Sequence, residues 1–280
     1  MATPKVWFIT GSSAGFGLHM ARAALAHGDK VIATLRTPSA IASLSSEYQS
    51  TQLLVVQLDV TKPEKIEEAF SQGKAAFGRI DVVFNCAGIT QVSEVEGTPD
   101  DIARRLFEVN FWGATNVTRV AMKYFRENDP IGGKLLQMSS CAALDAVAIS
   151  GFYSAAKSAL EGMTDSLRKE LDPAWNIKIA VLTPGPFLTN VMQTALFAPP
   201  HPSYTNPSLI TNVIRASSDP SYFDGNPATA VEEFWAVAQM DDPPERLLIH
   251  REAIRSAKSK AESLLKSVEE AKEVKDLYLV

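Results

Sequence analysis

The chain is short of cysteine, of long apolar runs and of positive charge, and each shortage removes a class of protein. Two cysteines, Cys86 and Cys141, in 280 residues cannot make a disulfide framework, so a reducing, cytoplasmic setting is expected. No window reaches the ~18 consecutive apolar residues of a membrane span. The first ten residues carry one lysine and a short apolar run, not the basic start and apolar stretch of a secretory signal. The net charge is −5, from 27 Lys and Arg against 32 Asp and Glu, whereas nucleic-acid surfaces show a basic excess. The four histidines, His19, His27, His201 and His250, share no metal-ligand spacing, so no metal is expected.

What remains is the balance of an ordinary globular protein, with 46% apolar and 21% charged residues. Short β-branched runs alternate with longer helical patterns. Val6–Thr10, Val31–Leu35, Leu53–Leu58, Val82–Asn85, Lys134–Met138 and Ile177–Thr183 read as strands, with a seventh at Leu247–His250. They are nearly continuous in apolar residues, as strands buried on both faces should be. Between them Gly17–His27, Pro63–Phe77, Asp100–Arg126 and Tyr153–Leu171 read as helices. Repeated strand–helix–strand units imply an α/β fold: a Rossmann-type, doubly wound parallel sheet of about seven strands with helices on both faces. We expect one domain over residues 1–280.

From Pro184 to Pro227 the composition shifts, with Pro184, Pro186, Pro199, Pro200, Pro202, Pro207, Pro220 and Pro227 mixed among Phe, Leu and Tyr. Such a stretch is a poor sheet element. It reads as an insertion at about 186–227 with short helices, of the kind that often serves as a lid. Its start (Phe187, Leu188, Val191, Met192, then Leu196, Phe197 and Ala198) would make an apolar wall over a polar site, which suits a small hydrophobic carbonyl or alcohol substrate. The same residues could equally pack the segment onto the body. A C-terminal amphipathic helix is expected at about 251–276.

The first strand runs into Thr10-Gly11-Ser12-Ser13-Ala14-Gly15-Phe16-Gly17, and a helix follows at once. Glycines permit a tight turn and let backbone N–H groups approach a pyrophosphate, while the helix N-terminus adds its positive end. A strand before and a helix after are the context a dinucleotide site requires. The second strand ends Ala33-Thr34-Leu35-Arg36, with no carboxylate to hold a ribose 2′-hydroxyl. Arg36 can instead pair with a 2′-phosphate; the plain alternative is a solvated surface arginine. This favours NADP(H) over NAD(H).

Further along, Tyr153 and Lys157 are four apart in a helical stretch and so share one face. A tyrosine has a reference pKa near 10, and a neighbouring ammonium is expected to lower it toward the working range of a general acid–base. The glycine spacing together with Tyr153-Ser154-Ala155-Ala156-Lys157 resembles the short-chain dehydrogenase/reductase family, over roughly Lys5 to Thr189. The single-domain, hydroxysteroid and retinol dehydrogenase-like branch is the most similar.

The resemblance implies the remaining assignments. Ser140, thirteen residues before Tyr153, would hold the substrate oxygen, and Asn110 would support a proton relay to Lys157. Lys157 would also bind the nicotinamide ribose. Gly11, Ser13, Gly15, Phe16 and Gly17 would cradle the cofactor phosphates, with Ser13 touching the 2′-phosphate. Asp59 and Val60 would hold the adenine. Asn85, Ala87 and Gly88, in a stretch where Cys86 replaces the family's second asparagine, would line the site. Pro184, Gly185, Phe187 and Thr189 would hold the nicotinamide. Family members often pair through two long helices, so a homodimer or homotetramer is implied. The rival readings are a non-catalytic NADPH-binding redox-sensing regulator and a sugar-nucleotide epimerase or dehydratase. The first would usually have lost Tyr, Ser or Lys, and the second usually has another glycine spacing.

Overall fold

The structure, a computed structural model, describes residues 3–216 and 222–271. Its centre is a seven-stranded sheet ordered β3-β2-β1-β4-β6-β7-β9, every neighbouring pair parallel. The strands are β1 (Val6–Thr10), β2 (Lys30–Leu35), β3 (Leu53–Gln57), β4 (Val82–Asn85), β6 (Gly133–Met138), β7 (Ile177–Pro184) and β9 (Arg246–Ile249). This is the Rossmann-type α/β fold that the alternating pattern implies. Boundaries differ from the sequence reading by a residue or so at most strand ends.

The period-2 pleat divides β1 between two cores. Trp7 and Ile9 face one layer with helices α1 (Gly15–Ala26) and α8 (Pro227–Gln239), while Val6 and Phe8 face the other with α3 (Pro63–Phe77) and α5 (Ala114–Arg126). Phe8 stacks on Phe70 at 3.9 Å. Only a sheet covered on both faces tolerates five consecutive buried residues in one strand, which is what β1 shows.

The expected helix Asp100–Arg126 runs without a break, but not uniformly. It comprises α4 (Asp100–Phe107), a π turn (Glu108–Gly113) and α5. The catalytic-motif helix α6 spans Gly151–Glu170, and α9 (Arg251–Ala271) forms the described part of the C-terminal helix. Residues 272–276 of that expected helix, and Pro220 with the rest of 217–221 in the expected lid, lie outside the described residues. No described helix is long and apolar enough to cross a membrane.

The proline-rich stretch is less irregular than its composition suggests. Leu196–Phe197 (β8) pairs in parallel with Gln91–Val92 (β5), and Phe187 bridges Gly225. No proline falls between Pro186 and Pro199, so nothing there deletes the N–H groups a ladder needs. A short helix, α7 (Ile210–Ala216), carries Arg215 in its last turn. There Arg215 grips the buried Glu94 with two bonds, Nε to Oε1 at 2.9 Å and Nη2 to Oε2 at 2.8 Å, and the His201 backbone N–H adds a third at 3.3 Å.

This pair clips the 198–216 segment to the loop after β5. Its first cause, the Arg215 hydrogen bond, holds the Glu94 carboxyl down at about 2 against an ordinary 4.5. The depressed value means stability that is complete above pH 4.5 and lost as pH falls toward 2. Glu94→Gln should therefore cost roughly 3 kcal/mol at pH 7, measured by urea unfolding. The difference from wild type should shrink steadily between pH 4.5 and 2.

Candidate active site

The strand order reverses between β1 and β4, and the crevice beyond their carboxyl ends is where doubly wound sheets bind ligands. A cleft of about 370 Å³ opens there. Thr10 ties its two sides together: the Oγ1 accepts the Cys86 and Ala87 N–H groups at 2.9 and 3.0 Å. At Gly11, with φ +73°, an added Cβ would lie 3.0 Å from the Ala87 Cα; at Gly17 it would lie 2.2 Å from the Gly11 carbonyl oxygen. A side chain is excluded at Gly11 because the turn folds against the loop after β4, and at Gly17 because the helix start folds back onto the turn itself. Helix α1 then starts with no side-chain cap and no acidic residue in its first turn. Its unmatched N–H groups and positive end fit a phosphate.

Gly11, Ser13, Gly15, Phe16, Arg36, Asp59, Val60, Ala87, Gly88, Pro184, Gly185, Phe187 and Thr189 all line this cleft, as do Ser140, Tyr153 and Lys157. Three expected residues do not. Gly17 is buried under the Gly11 carbonyl, so it serves the turn's packing. Asn85 turns into the core, donating to the Ala114 carbonyl at 2.8 Å and accepting from Thr10. Asn110 is fully buried and doubly committed to one residue: Nδ2 donates to the Ile89 carbonyl at 2.7 Å, and Oδ1 accepts the Ile89 N–H at 2.9 Å. It shapes the loop after Gly88 from inside the π turn, a feature frequent at functional sites.

The sequence reading missed Arg105 of α4, which reaches the cleft beside Asp59. Burial alone would raise the Asp59 carboxyl, but two Thr61 hydrogen bonds and the Arg105 and Arg36 cations together lower it. Arg36 itself is exposed at the rim and makes no ion pair among the described residues. Tyr222 and Phe223 also line the cleft.

In the same cleft the helical spacing brings Tyr153 and Lys157 to one face, as expected. The Ser140 hydroxyl lies beside the Tyr153 hydroxyl and acts to lower its pKa. The Lys157 Nζ donates to the Met138 carbonyl at 2.9 Å and sits 5.9 Å from the Tyr153 ring centre. The expected lowering of Tyr153 is not what the packing produces. Burial pushes its hydroxyl up to about 12, with the Ser140 hydroxyl opposing, while burial pulls Lys157 down to about 8. Desolvation disfavours both charged forms, and for Tyr153 it outweighs every opposing influence. Cys86, beside Lys157, is likewise pushed up to about 12 by burial, so it is a poor thiolate former.

Lysine buried against its charge implies a stability penalty. The unfolded chain binds more protons between pH 8 and the ordinary 10.5, so stability from this group rises with pH across that window. Below pH 8 the penalty is full, roughly 3 kcal/mol. Lys157→Met is expected to raise the urea midpoint at pH 7, with the advantage fading by pH 10.5.

The segregation is clear from the charges: Arg36, Asp59, Arg105 and Lys157 are the charged residues lining the cleft, all toward the glycine-turn and Tyr153 parts. The wall formed by Val147, Val191, Met192, Tyr222 and Phe223 carries none. Of the expected apolar lid residues, Val191 and Met192 line the cleft, Phe187 packs on Phe16 at 5.2 Å, and Leu188 and Phe197 face outward at 59% and 61% exposure. The segment thus divides between the cleft, the body and solvent.

The family model for short chain dehydrogenases matches residues 5–198, and the chain belongs to this short-chain dehydrogenase/reductase family of oxidoreductases. An uncharacterized oxidoreductase of Schizosaccharomyces pombe is 34% identical over 247 residues, covering 88% of this chain and 82% of the relative. A short-chain dehydrogenase from Streptomyces avermitilis superposes with a TM-score of 0.87 at 31% identity, over 99% of this chain and 98% of that one. A Burkholderia cenocepacia short chain dehydrogenase, solved in complex with NADP, shares the fold with a TM-score of 0.72 at 23% identity, over 94% and 96%.

Proposed function

We propose that the protein is an NADP(H)-dependent carbonyl reductase or alcohol dehydrogenase acting on a small, uncharged, hydrophobic ketone or aldehyde and its alcohol. The observation that carries this is the convergence of Ser140, Tyr153 and Lys157 at the inner end of one cleft whose outer wall lacks charge. An NADP-bound relative of the same fold and the absence of a carboxylate at the end of β2 support the choice of cofactor.

The turn Gly11–Gly17 and the start of α1 would hold the cofactor diphosphate, and Arg36 with Ser13 the 2′-phosphate. Asp59 and Val60 would flank the adenine, while Pro184–Thr189 would hold the nicotinamide end. When bound, the cofactor supplies or accepts the hydride at the substrate carbon. Ser140 positions the substrate oxygen and stabilises charge developing on it. Tyr153 gives its hydroxyl proton to that oxygen in reduction and takes it back in oxidation. A tyrosine at about 12 keeps its proton at neutral pH, which favours the reductive direction.

Lys157 would engage the nicotinamide ribose and return the proton to Tyr153. Asn110 supports this relay indirectly, by fixing the Ile89 loop. The 186–227 segment would act as the lid, held by the Glu94–Arg215 clip, over a single domain spanning the chain. The outer face of α6 is kept small by the exposed Ala155, Ser158 and Gly162, and Trp112 is half-exposed; this supports pairing of subunits through α4–α5 and α6 into a homodimer or homotetramer. Free cysteines suit the cytosol.

The test is NADPH oxidation by the purified protein against a panel of hydrophobic ketones and aldehydes, with charged carbonyl compounds alongside. Turnover confined to uncharged compounds is expected. Turnover confined to charged ones would sink the substrate assignment.

A further inference from the structure

We infer that Glu161, clamped by Arg246, is a positioning residue for the Ser140–Tyr153–Lys157 group, fixing its geometry and sustaining the positive charge of Lys157. This inference rests on the function proposed above but concerns residues outside it. Glu161 follows Tyr153 and Lys157 at the same four-residue interval, so all three share the inward face of α6. Three consecutive residues leaving β6 engage those three positions. The Met138 carbonyl accepts from Lys157 at 2.9 Å, the Ser139 hydroxyl donates to Glu161 at 2.5 Å, and the Ser140 hydroxyl lies beside Tyr153. The strand end that presents Ser140 is thereby fastened to the helix that presents Tyr153.

Glu161 is held in turn from the far side. The Arg246 Nη1 donates to its Oε1 at 2.7 Å and Nη2 to its Oε2 at 2.9 Å, while Nη1 also reaches the Thr183 hydroxyl at 3.0 Å. A bidentate pair of this kind fixes both distance and orientation. Ser139, Glu161 and Thr183 are buried at 2%, 7% and 0% exposure, where a charge acts over longer range than in water.

The groups facing Lys157 are few. Tyr153 and Glu161 come from its own helix, the Cys86 thiol from the end of β4, the neutral Asn110 from the π turn and the Met138 carbonyl from β6. Cys86, pushed up by burial, stays neutral below about 12. Glu161 is thus the anion that opposes the desolvation of Lys157. Its own neighbours are Ser139 and Arg246, with Asp165 beyond Arg246.

The experiment is NADPH titration of the full chain, followed by fluorescence of the bound dihydronicotinamide, from pH 6 to 9.5. Wild type should lose affinity on the alkaline side with a midpoint near 8, where Lys157 sheds its proton; Lys157→Met should flatten that limb. Glu161→Gln keeps shape and removes charge, and is expected to move the midpoint down by about half a pH unit or more, weakening binding about threefold at its alkaline end. Ser139→Ala keeps the charge and should leave the midpoint in place. Glu161→Gln also leaves the half-buried Arg246 without its anion, so its Tm should fall. Adding Arg246→Met should restore Tm while leaving the midpoint shifted.

An unmoved midpoint in Glu161→Gln, a midpoint that returns together with Tm, or a wild-type profile without the limb would each overturn the inference while NADPH binding stands. Wild-type protein that binds no NADPH at all would overturn the cofactor reading, and the inference with it.

Discussion

Tyr153→Phe should abolish turnover while leaving NADPH affinity within about twofold of wild type. The change removes one oxygen and nothing else. In the structure that oxygen meets Ser140, and the ring stays packed on α6, so folding is undisturbed. What is lost is the hydroxyl proposed to exchange a proton with the substrate oxygen. General acid–base catalysis contributes roughly 10²- to 10⁴-fold to rate, and a fall in kcat of that size is expected on any substrate the panel reveals. The pH dependence sharpens this. With the hydroxyl at about 12, wild-type reduction should show no loss from tyrosine ionisation up to pH 9, whereas oxidation, which needs the phenolate, should climb with pH over the same range. Retained turnover in the variant would reject Tyr153 as the proton donor. Tight NADPH binding without turnover in wild type would turn attention to the sensor reading instead.

The parts of this site that were legible in the sequence are those carried by local pattern. The strand–helix alternation gives the sheet, the glycine spacing gives the turn, and the Tyr–Lys interval gives one helix face. Each depends on residues within a few positions of one another. The interactions that set the chemistry are not local. Glu161 and Arg246 are 85 residues apart, and Glu94 and Arg215 are 121 apart; neither pair leaves a periodic signal.

Burial is also a tertiary property, and it reverses the expectation for Tyr153, because the lysine expected to lower it is itself desolvated. Asn85, Gly17 and Asn110 show a different gap. Their positions match a family pattern, yet their side chains or contacts serve the frame of the cleft. A motif names the residue that must be present, without saying whether it faces the ligand or holds the residue that does. The π turn was invisible for the same reason. Asn110 and Gly113 lower helical propensity only modestly, and the widening goes with Asn110 bonding Ile89 and Gly113 lying against Val60.

Arg36→Asp should reverse the cofactor preference. Arg36 directly follows the last residue of β2, and the Gln57 side chain fixes its backbone by donating to its carbonyl at 3.0 Å. The guanidinium is exposed and makes no ion pair among the described residues, so its removal costs the fold little, and Tm should stay within about 1 °C of wild type, as for surface substitutions generally. Binding is another matter. Hydrogen bonds to a charged group are worth about 1.5–3 kcal/mol, and an aspartate adds repulsion against a 2′-phosphate. NADPH affinity should fall roughly 100-fold or more. The new carboxylate would accept the 2′-hydroxyl of NADH, the role an acidic residue at this strand end plays in NAD-selective sites, so NADH affinity should rise. Arg36→Met separates the two effects, since it should weaken NADPH without improving NADH. Ionic strength supplies an independent check: NADPH binding should weaken with salt in wild type and much less in either variant, because the exposed cation is the part most open to screening. Isothermal titration with both cofactors at two salt concentrations reads all of this. An unchanged NADPH-to-NADH ratio in Arg36→Asp would remove Arg36 from the phosphate site and make Arg105, the other arginine lining the cleft, the next cation to replace.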